Sequence, residues 1–450
     1  MLFRSRSSNF KIKIMLDKDN IFFKKKILIY GLGKSGLSAY KFLKKNNKIY
    51  LYDDNKIKNQ NLEIKKKLIQ YQDIIHEKID CIIISPGIDI KKCKLKNFLK
   101  KNYDKIHTDL DVFYYYYKKN KNITITGTNG KSTTVKIIYE VLKCQKIDAR
   151  LVGNIGNPIL SEKKITPKTV FVIEASSYQL EYSKIFKSHL AAILNISPDH
   201  LERHGSIRNY IKAKFKLIKT QTKKDFTFLN TNNLFIKRYL SGQRILSKII
   251  KINKTVQSKV LKKIDNSNFL SDGNKENLSF VFEIAKKMKI SKNNLFKALQ
   301  KFNGLDFRQQ VIFKSKNLII INDSKATSFS STVSILRSIT NVYWIVGGQA
   351  KKGDKFLLNK SECKNMEAYI FGKNKKFFIN KLKKKINYQL FDDLKSSIKK
   401  VLIDIKKNNK KQKQHIILFS PAAASFDSFK NFEDRGNYFN HLIKGMLDAE

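Results

Sequence analysis

The stretch NITITGTNGKSTT, which begins at Asn122, limits the possible folds more than any other part of the chain. An alternating β-branched run stops at a glycine turn, and helix-compatible residues follow at once. A strand that feeds a helix in this way returns through a crossover, so its neighbours are parallel strands and helices cover the sheet on both faces. The turn also carries chemistry. Gly127, Thr128, Asn129 and Gly130 present consecutive backbone N–H groups at a helix N-terminus. Lys131 adds a cation suited to β- and γ-phosphates, and Ser132 and Thr133 add hydroxyls that can ligate Mg²⁺. The common phosphate-loop pattern has a further glycine five residues before Gly130, where this chain has Ile125, so the loop is a short form. An ordinary glycine turn without ligand is the structural alternative.

The same alternation of strand and helix recurs from end to end. KILIYGLGKSG passes into a helical stretch and returns as KIYLYDD, and CIIISPGI follows. After the basic linker KKNKN come the loop itself, TVFVIEAS and LAAILNIS; after FNGLDFRQQ come NLIIINDSKA, VYWIVGG, MEAYIFG and HIILFSPAAAS. The expected fold is α/β, with three domains that each hold a largely parallel sheet flanked by helices. They are a Rossmann-like N-terminal domain at 26–119, a P-loop ATPase-like central domain at 120–306 and a Rossmann-like C-terminal domain at 307–450. Residues 1–25 read as an N-terminal extension, with Met1 or Met15 as the first residue. GLGKSG supplies Gly31, Gly33 and Gly36, and Asp53 follows at a dinucleotide-like distance. Three readings stay open there: a nicotinamide dinucleotide, a tight turn without ligand, or the diphosphate of a nucleotide-linked substrate.

Composition narrows the class. With 42% hydrophobic residues the chain can fill several cores, which excludes a disordered protein. The net charge of +54 is mostly lysine spread along the whole length, a pattern of solvated surface rather than a nucleic-acid footprint; it favours anionic substrates by steering. No apolar run approaches the roughly 18 residues of a membrane span, and the basic N-terminus lacks a sustained apolar core, so a cytoplasmic location is expected. Cys81, Cys93, Cys144 and Cys363 form no Cys-x-x-Cys pair and read as reduced structural thiols.

TGTNGKST resembles the loop of the Mur ligase and folylpolyglutamate synthase superfamily, ATP-dependent amide-bond formers. The resemblance implies ATP and Mg²⁺ as cofactors. It gives catalytic roles to Lys131, Glu174, His200 and Lys214, and places the metal at Ser132, Glu174, His200 and, if carbamylated, Lys214. By itself Lys214 is one of several lysines on a helix and reads as a solvated face. Besides the loop residues, Asn277, Arg308 and Asp323 are implied on the ATP side. Ser35, Asp53 or Asp54, and Gly87 join the GLGKSG glycines as implied contacts to a UDP-linked substrate, with Asn154, Ser176 and Gln179.

INDSKATSFSST and LFSPAAASFDSFKNFEDRG resemble the branch of the family that adds D-glutamate to UDP-N-acetylmuramoyl-L-alanine in peptidoglycan precursor synthesis. D-Glutamate brings two carboxylates, and Lys325, Thr327, Lys351, Ser425 and the backbone near Phe432 match the positions that receive it. The expected protein is a monomer that binds these two substrates and neither nucleic acid nor membrane. Two departures stand out: Gly273 and Phe307 occupy positions where the family usually has histidine.

Overall fold

The computed structural model describes residues 20–55, 61–269, 271–351, 353–408 and 414–448. The expectations for the start of the chain, including Met1 and Met15, lie outside the described residues. Strands β1 (Lys26–Tyr30), β2 (Lys48–Tyr52), β3 (Cys81–Ile84) and β4 (Ile106–His107) form a parallel sheet in the order β2-β1-β3-β4. Strands β5 (Asn122–Thr126), β6 (Ala149–Gly153), β7 (Val170–Glu174), β8 (Leu190–Ile193), β9 (Phe226–Asn230) and β10 (Lys248–Ile252) form a second, ordered β10-β9-β8-β5-β7-β6 and parallel throughout.

A third sheet contains β11 (Gln310–Lys314), β12 (Leu318–Asn322), β13 (Val342–Gly347), β14 (Met366–Phe371), β15 (Asn387–Phe391) and β16 (His415–Phe419), in the order β11-β12-β16-β13-β14-β15. Its edge strand β11 runs antiparallel to β12; the other pairs are parallel. Central strands are apolar runs buried along their whole length, as in Leu190–Ile193, because helices cover both faces. Edge strand β10 instead places lysines outward, which blunts its open hydrogen-bonding side.

The chain forms two compact units. The first takes its described residues from Met1–Tyr117, Pro158–Lys163 and Tyr182–Phe186, and holds the first sheet. The second takes Lys118–Asn157, Lys164–Glu181 and Lys187–Glu450, and holds the other two sheets. Asp111 explains why a short segment so distant in sequence belongs to the first unit. This fully buried carboxylate accepts hydrogen bonds from Ser183 Oγ (2.7 Å), from the N–H groups of Lys184, Ile185 and Phe186 (3.0 Å each) and from Thr108 N–H (3.0 Å). A buried charge so fully paired fixes the backbone around it.

Candidate active site

In the second unit the chain leaves β5 toward β6 and β7 on one side and builds β8, β9 and β10 on the other. A doubly wound sheet opens a ligand crevice at such a change of direction. The loop Gly127–Gly130 lies there. Gly130 has φ +82°, and Asn277 Oδ1 would sit 2.2 Å from a Cβ at that position, so only glycine fits. Thr128 N–H donates to Asn195 O at 2.9 Å. The Asn195 side chain then brackets the next peptide, accepting from Asn129 N–H at 2.8 Å and donating to Asn129 O at 3.3 Å. The helix Lys131–Cys144 starts directly after Gly130 and aims its positive end at the loop.

Two amines converge on one carbonyl. Lys131 Nζ donates to Gly127 O and Thr128 O, both at 2.8 Å, and Lys214 Nζ donates to the same Gly127 O at 2.7 Å. Lys214 is only 1% exposed, so the solvated-face reading of this residue is overturned. Burial, and then the Lys131 charge, hold its amine well below the ordinary lysine range. Burial also lowers Lys131, against the pull of Glu174 and Asp199. Tyr210 supports the pair: Lys214 Nζ lies 4.5 Å from its ring centroid, and its hydroxyl is 3.1 Å from Thr128 Oγ1.

Glu174 ends β7, buried, and accepts from Ser132 Oγ at 2.7 Å and Asn154 Nδ2 at 3.1 Å. Thr133 is partly buried on the same first helical turn as Ser132. Ser176 N–H and Oγ donate to Gln179 Oε1 at 3.1 and 3.2 Å, closing the turn that follows Glu174. His200 lies beyond β8 with φ +54°, a left-handed conformation uncommon for residues with side chains. Its neighbour Asp199 accepts from Lys351 Nζ at 2.9 Å, which joins the loops after β8 and β13. Burial pushes the Asp199 carboxyl up, but His200 and Lys351 more than offset that and hold it below the usual carboxylate range.

The third sheet brings a second set of loops together. Asp323 N–H donates to Phe419 O at 2.7 Å, while its carboxylate accepts from Ser420 Oγ at 2.8 Å and Gln309 N–H at 3.1 Å. Burial pushes this carboxyl up to about 7. Lys325 Nζ sits 3.7 Å from the centroid of the Phe432 ring, and burial followed by the Arg308 charge pushes it down to about 8. Ser425 is buried and its carbonyl accepts from Ser428 and Phe429 N–H at 3.2 and 2.8 Å; Thr327 is partly buried just before the helix Phe329–Leu336.

Residues 125–295 match the Mur ligase middle domain, and residues 25–106 match the Mur ligase MurD-like N-terminal domain. The UDP-N-acetylmuramoylalanine–D-glutamate ligase of Rickettsia bellii is 32% identical over 447 residues, with 94% of this chain and 98% of that protein covered. The protein of the same name from Francisella philomiragia is 34% identical over 425 residues, with 93% and 96% covered. The chain belongs to the Mur ligase family.

Solved structures share the fold at lower identity. The MurF ligase from Thermotoga maritima in complex with ADP superposes with a TM-score of 0.55 at 12% identity, covering 95% of this chain and 99% of that one. UDP-N-acetylmuramate–alanine ligase MurC from Thermotoga maritima gives 0.53 at 15%, covering 95% and 100%. As a Mur ligase the chain is an ATP-dependent amide ligase, and the reading of GLGKSG as the nicotinamide site of an oxidoreductase is not favoured.

In this Mur ligase the residues singled out in the sequence form two sets. Lys131 and Lys214 share the Gly127 carbonyl, Ser132 and Asn154 both donate to Glu174, and Asp199 beside His200 bonds Lys351. Gly31, Gly33, Ser35, Gly36, Asp53 and Gly87 all belong to the first unit. There a Cβ on Gly36 would lie 1.9 Å from Gly31 O, so this part of the pattern serves the turn itself. Leu32 N–H donates to Asp53 at 2.7 Å, Tyr30 OH to Asp54 at 2.7 Å, and Ser35 Oγ to Asp109.

The departures have local causes. Gly273 N–H donates to Ser334 Oγ at 3.1 Å, and a Cβ there would come within 2.5 Å of that oxygen, so a histidine would displace Ser334. Phe307 has φ +61°, its carbonyl accepts from Lys325 N–H at 3.0 Å, and its ring packs on the Gly436 backbone, where a Cβ would meet it at 2.2 Å. Arg308, mostly buried, is held below the usual arginine range by burial, against the pull of Glu174 and Asp323.

Asn195, Tyr178, Asp199, Tyr210 and Arg435 escaped the sequence reading. Lys214 carried a usable signal: it falls on the buried stripe of its helix with Tyr210, Ile211 and Leu217, whereas Lys212 and Lys219 are exposed.

The raised Asp323 carboxyl makes a stability prediction. The folded chain binds this proton more tightly than the unfolded chain, so ionisation costs stability. The Asp323 contribution falls as pH rises from about 4 to about 7, and the loss is complete above that. Asp323→Asn cannot ionise and should gain about 1 kcal/mol on the native chain between about pH 6 and about pH 8. Urea unfolding followed by the fluorescence of Trp344, the single tryptophan, measures it. A difference that stays constant across that range contradicts the assignment.

Proposed function

We propose that the chain joins the amine of D-glutamate to the L-alanine carboxyl of UDP-N-acetylmuramoyl-L-alanine, at the expense of ATP, in peptidoglycan precursor synthesis. The reading rests on one arrangement: the phosphate loop with Lys131 and Glu174 shares a compact unit with the loops of Lys325, Lys351 and Ser425, and the Lys351–Asp199 bridge ties them. The loop Gly127–Gly130 and the Lys131 amine receive the ATP phosphates, the Thr128 and Asn129 N–H groups exchanging Asn195 for phosphate oxygens, with Thr133, Asn277, Arg308 and Asp323 on the same side. Lys131 then gives up its two loop carbonyls for phosphate oxygens. The L-alanine carboxylate attacks the γ-phosphorus, ADP leaves, and an acyl phosphate results. The deprotonated amine of D-glutamate attacks the acyl carbon and phosphate departs. Lys131 offsets the charge that builds on the transferring phosphoryl group. No covalent enzyme intermediate is required.

Ser132 and Glu174 suit magnesium. Both offer hard oxygen donors, and this ion is ordinarily held by one or two carboxylates completed by phosphate oxygens and water. Among the described residues no three His, Cys, Asp or Glu side chains gather to hold a metal alone. Magnesium there would neutralise phosphate and carboxylate charge that otherwise repels the nucleophile. His200 would add an imidazole. Burial and the Lys131 charge shift the Lys214 amine toward the neutral form, the form that reacts with carbon dioxide, and its carbamate would add a carboxylate. Lys325, Thr327, Lys351, Ser425 and the backbone at Phe432 receive D-glutamate; Lys351 already pairs with a carboxylate, that of Asp199. Within the first unit the GLGKSG glycines, Ser35, Asp53 and Gly87 cradle the uridine diphosphate; within the second, Asn154, Ser176 and Gln179 serve the acyl end of the substrate.

A phosphate-release assay across UDP-muramyl acceptors and amino acids tests this reading. D-Glutamate should exceed L-alanine, L-glutamate and a diamino acid by at least roughly 10-fold, since a site built for two carboxylates leaves buried polar groups unpaired with the wrong substrate. Any of the three outperforming D-glutamate would overturn the substrate assignment.

A further inference from the structure

Tyr178 has a task that the family likeness leaves unassigned. It lies in the short helix Ser177–Tyr182 just past Glu174, and its hydroxyl is 2.9 Å from His200 Nδ1. The two rings pack with centroids 5.0 Å apart. The phenol is itself held: the Arg203 guanidinium lies 4.9 Å over its ring and the His204 ring 5.6 Å away. His204 Nε2 is 3.0 Å from Ser177 Oγ, which ties the helix bearing Tyr178 to the turn that follows His200. His200, by contrast, is a 38% exposed side chain on a left-handed backbone.

A neutral imidazole offers one lone pair, and the hydrogen bond made by one nitrogen decides what the other can do. Nδ1 faces the Tyr178 oxygen at 2.9 Å and Glu202 Oε1 at 3.6 Å. Nε2 faces Asp199 Oδ2 at 3.5 Å, a carboxylate already bound through its other oxygen to Lys351. Nδ1 thus faces two oxygens and Nε2 one, and the Tyr178 oxygen is the nearest of the three. We propose that Tyr178 is a positioning residue whose oxygen accepts the His200 Nδ1 proton and keeps the Nε2 lone pair free for a divalent cation at the phosphate site. The inference rests on the reading of His200 as a metal-facing residue. Burial pushes the Tyr178 hydroxyl up to about 12, so it stays a phenol throughout the neutral range.

The test uses the full chain and Mn²⁺ as the probe, titrated with a non-hydrolysable ATP analogue present. Tyr178→Phe keeps the ring and its Arg203 and His204 packing but removes the oxygen. It should weaken Mn²⁺ binding roughly 10-fold, the usual scale for losing a residue that orients a metal ligand. In the metal-free native chain, ¹⁵N spectra of His200 should show the proton on Nδ1, and Tyr178→Phe should disturb that pattern. His200→Ala separates the two readings. If it binds Mn²⁺ like the native chain, His200 is not a ligand and its assignment fails. If it binds weakly while Tyr178→Phe binds normally, the Tyr178 proposal alone falls. A native His200 protonated on Nε2 overturns the proposal even where the variant does not fold.

Discussion

Lys131→Ala is expected to lower ATP-driven phosphate release by roughly 10³-fold or more, in a chain that still folds and still binds its UDP-linked substrate. The loss is large because phosphoryl transfer depends on fixed positive charge, and the loop's N–H groups alone supply only partial charges. Folding should survive. In the resting chain the Lys131 amine is spent on Gly127 O and Thr128 O, at a site where burial already opposes its charge. Removing it costs those bonds but relieves both its own burial and its repulsion of Lys214. The Lys214 amine should gain proton affinity as a result. The residues assigned to uridine diphosphate sit in the other compact unit, so their affinity for it should be unchanged. Calorimetric titration with the UDP substrate beside a phosphate-release assay checks both halves. A folded variant that loses UDP-substrate binding contradicts this division of labour.

Arg435→Met should cost stability on the order of 3 kcal/mol and raise the D-glutamate KM at least roughly 10-fold. Arg435 is 1% exposed and lies in the helix Phe432–Leu447. Its guanidinium donates to Ser324 Oγ at 3.1 Å, Ser324 O at 2.7 Å, Ala423 O at 2.9 Å and Ala424 O at 3.3 Å. It thereby clamps the loop after β12 to the loop after β16, next to Lys325 and Ser425. Methionine fills the volume but strands Ser324 O and Ala423 O, since Ala424 O keeps its bond from Gln349 N–H at 2.9 Å, and lysine cannot reach in all four directions, so Arg435→Lys should rescue little. Trp344 reports the change directly, because its Nε1–H donates to Ser420 O at 2.8 Å in the same sheet. Wild-type midpoints and a native KM in Arg435→Met would show that the clamp is dispensable.

The parallel sheets were legible because each central strand announces itself locally, as a short apolar run stopped by glycine or a polar turn. The phosphate loop was legible for the same reason: Gly127 to Ser132 are consecutive, so their spacing in sequence is their spacing in space. The antiparallel edge of the third sheet was not, since β11 pairs with β12 through a bulge between Val311 and Phe313 that no local pattern records. Nor was the transfer of Tyr182–Phe186 to the first unit, which depends on Asp111, a residue some seventy positions away. Gly273 and Phe307 looked like losses; beside Ser334 and Gly436 they are matched to their neighbours.

What the amino-acid order decided alone was the set of chemical groups and the short-range geometry that presents them: the amides of Gly127–Gly130, the cation after them, the carboxylate of Glu174 at the end of β7 and the imidazole of His200 beyond β8. What only the assembled chain decided was which groups are dry and which meet. The place of Lys214 on the apolar stripe of its helix is written in the sequence, but its partner is not: the helix Ile207–Lys219 must pack before its amine meets Gly127 O. Asp199 finds Lys351, and His200 finds Tyr178, across long stretches of sequence. Burial and charge pairing depend on distances through space, and those distances exist only once the sheets have formed.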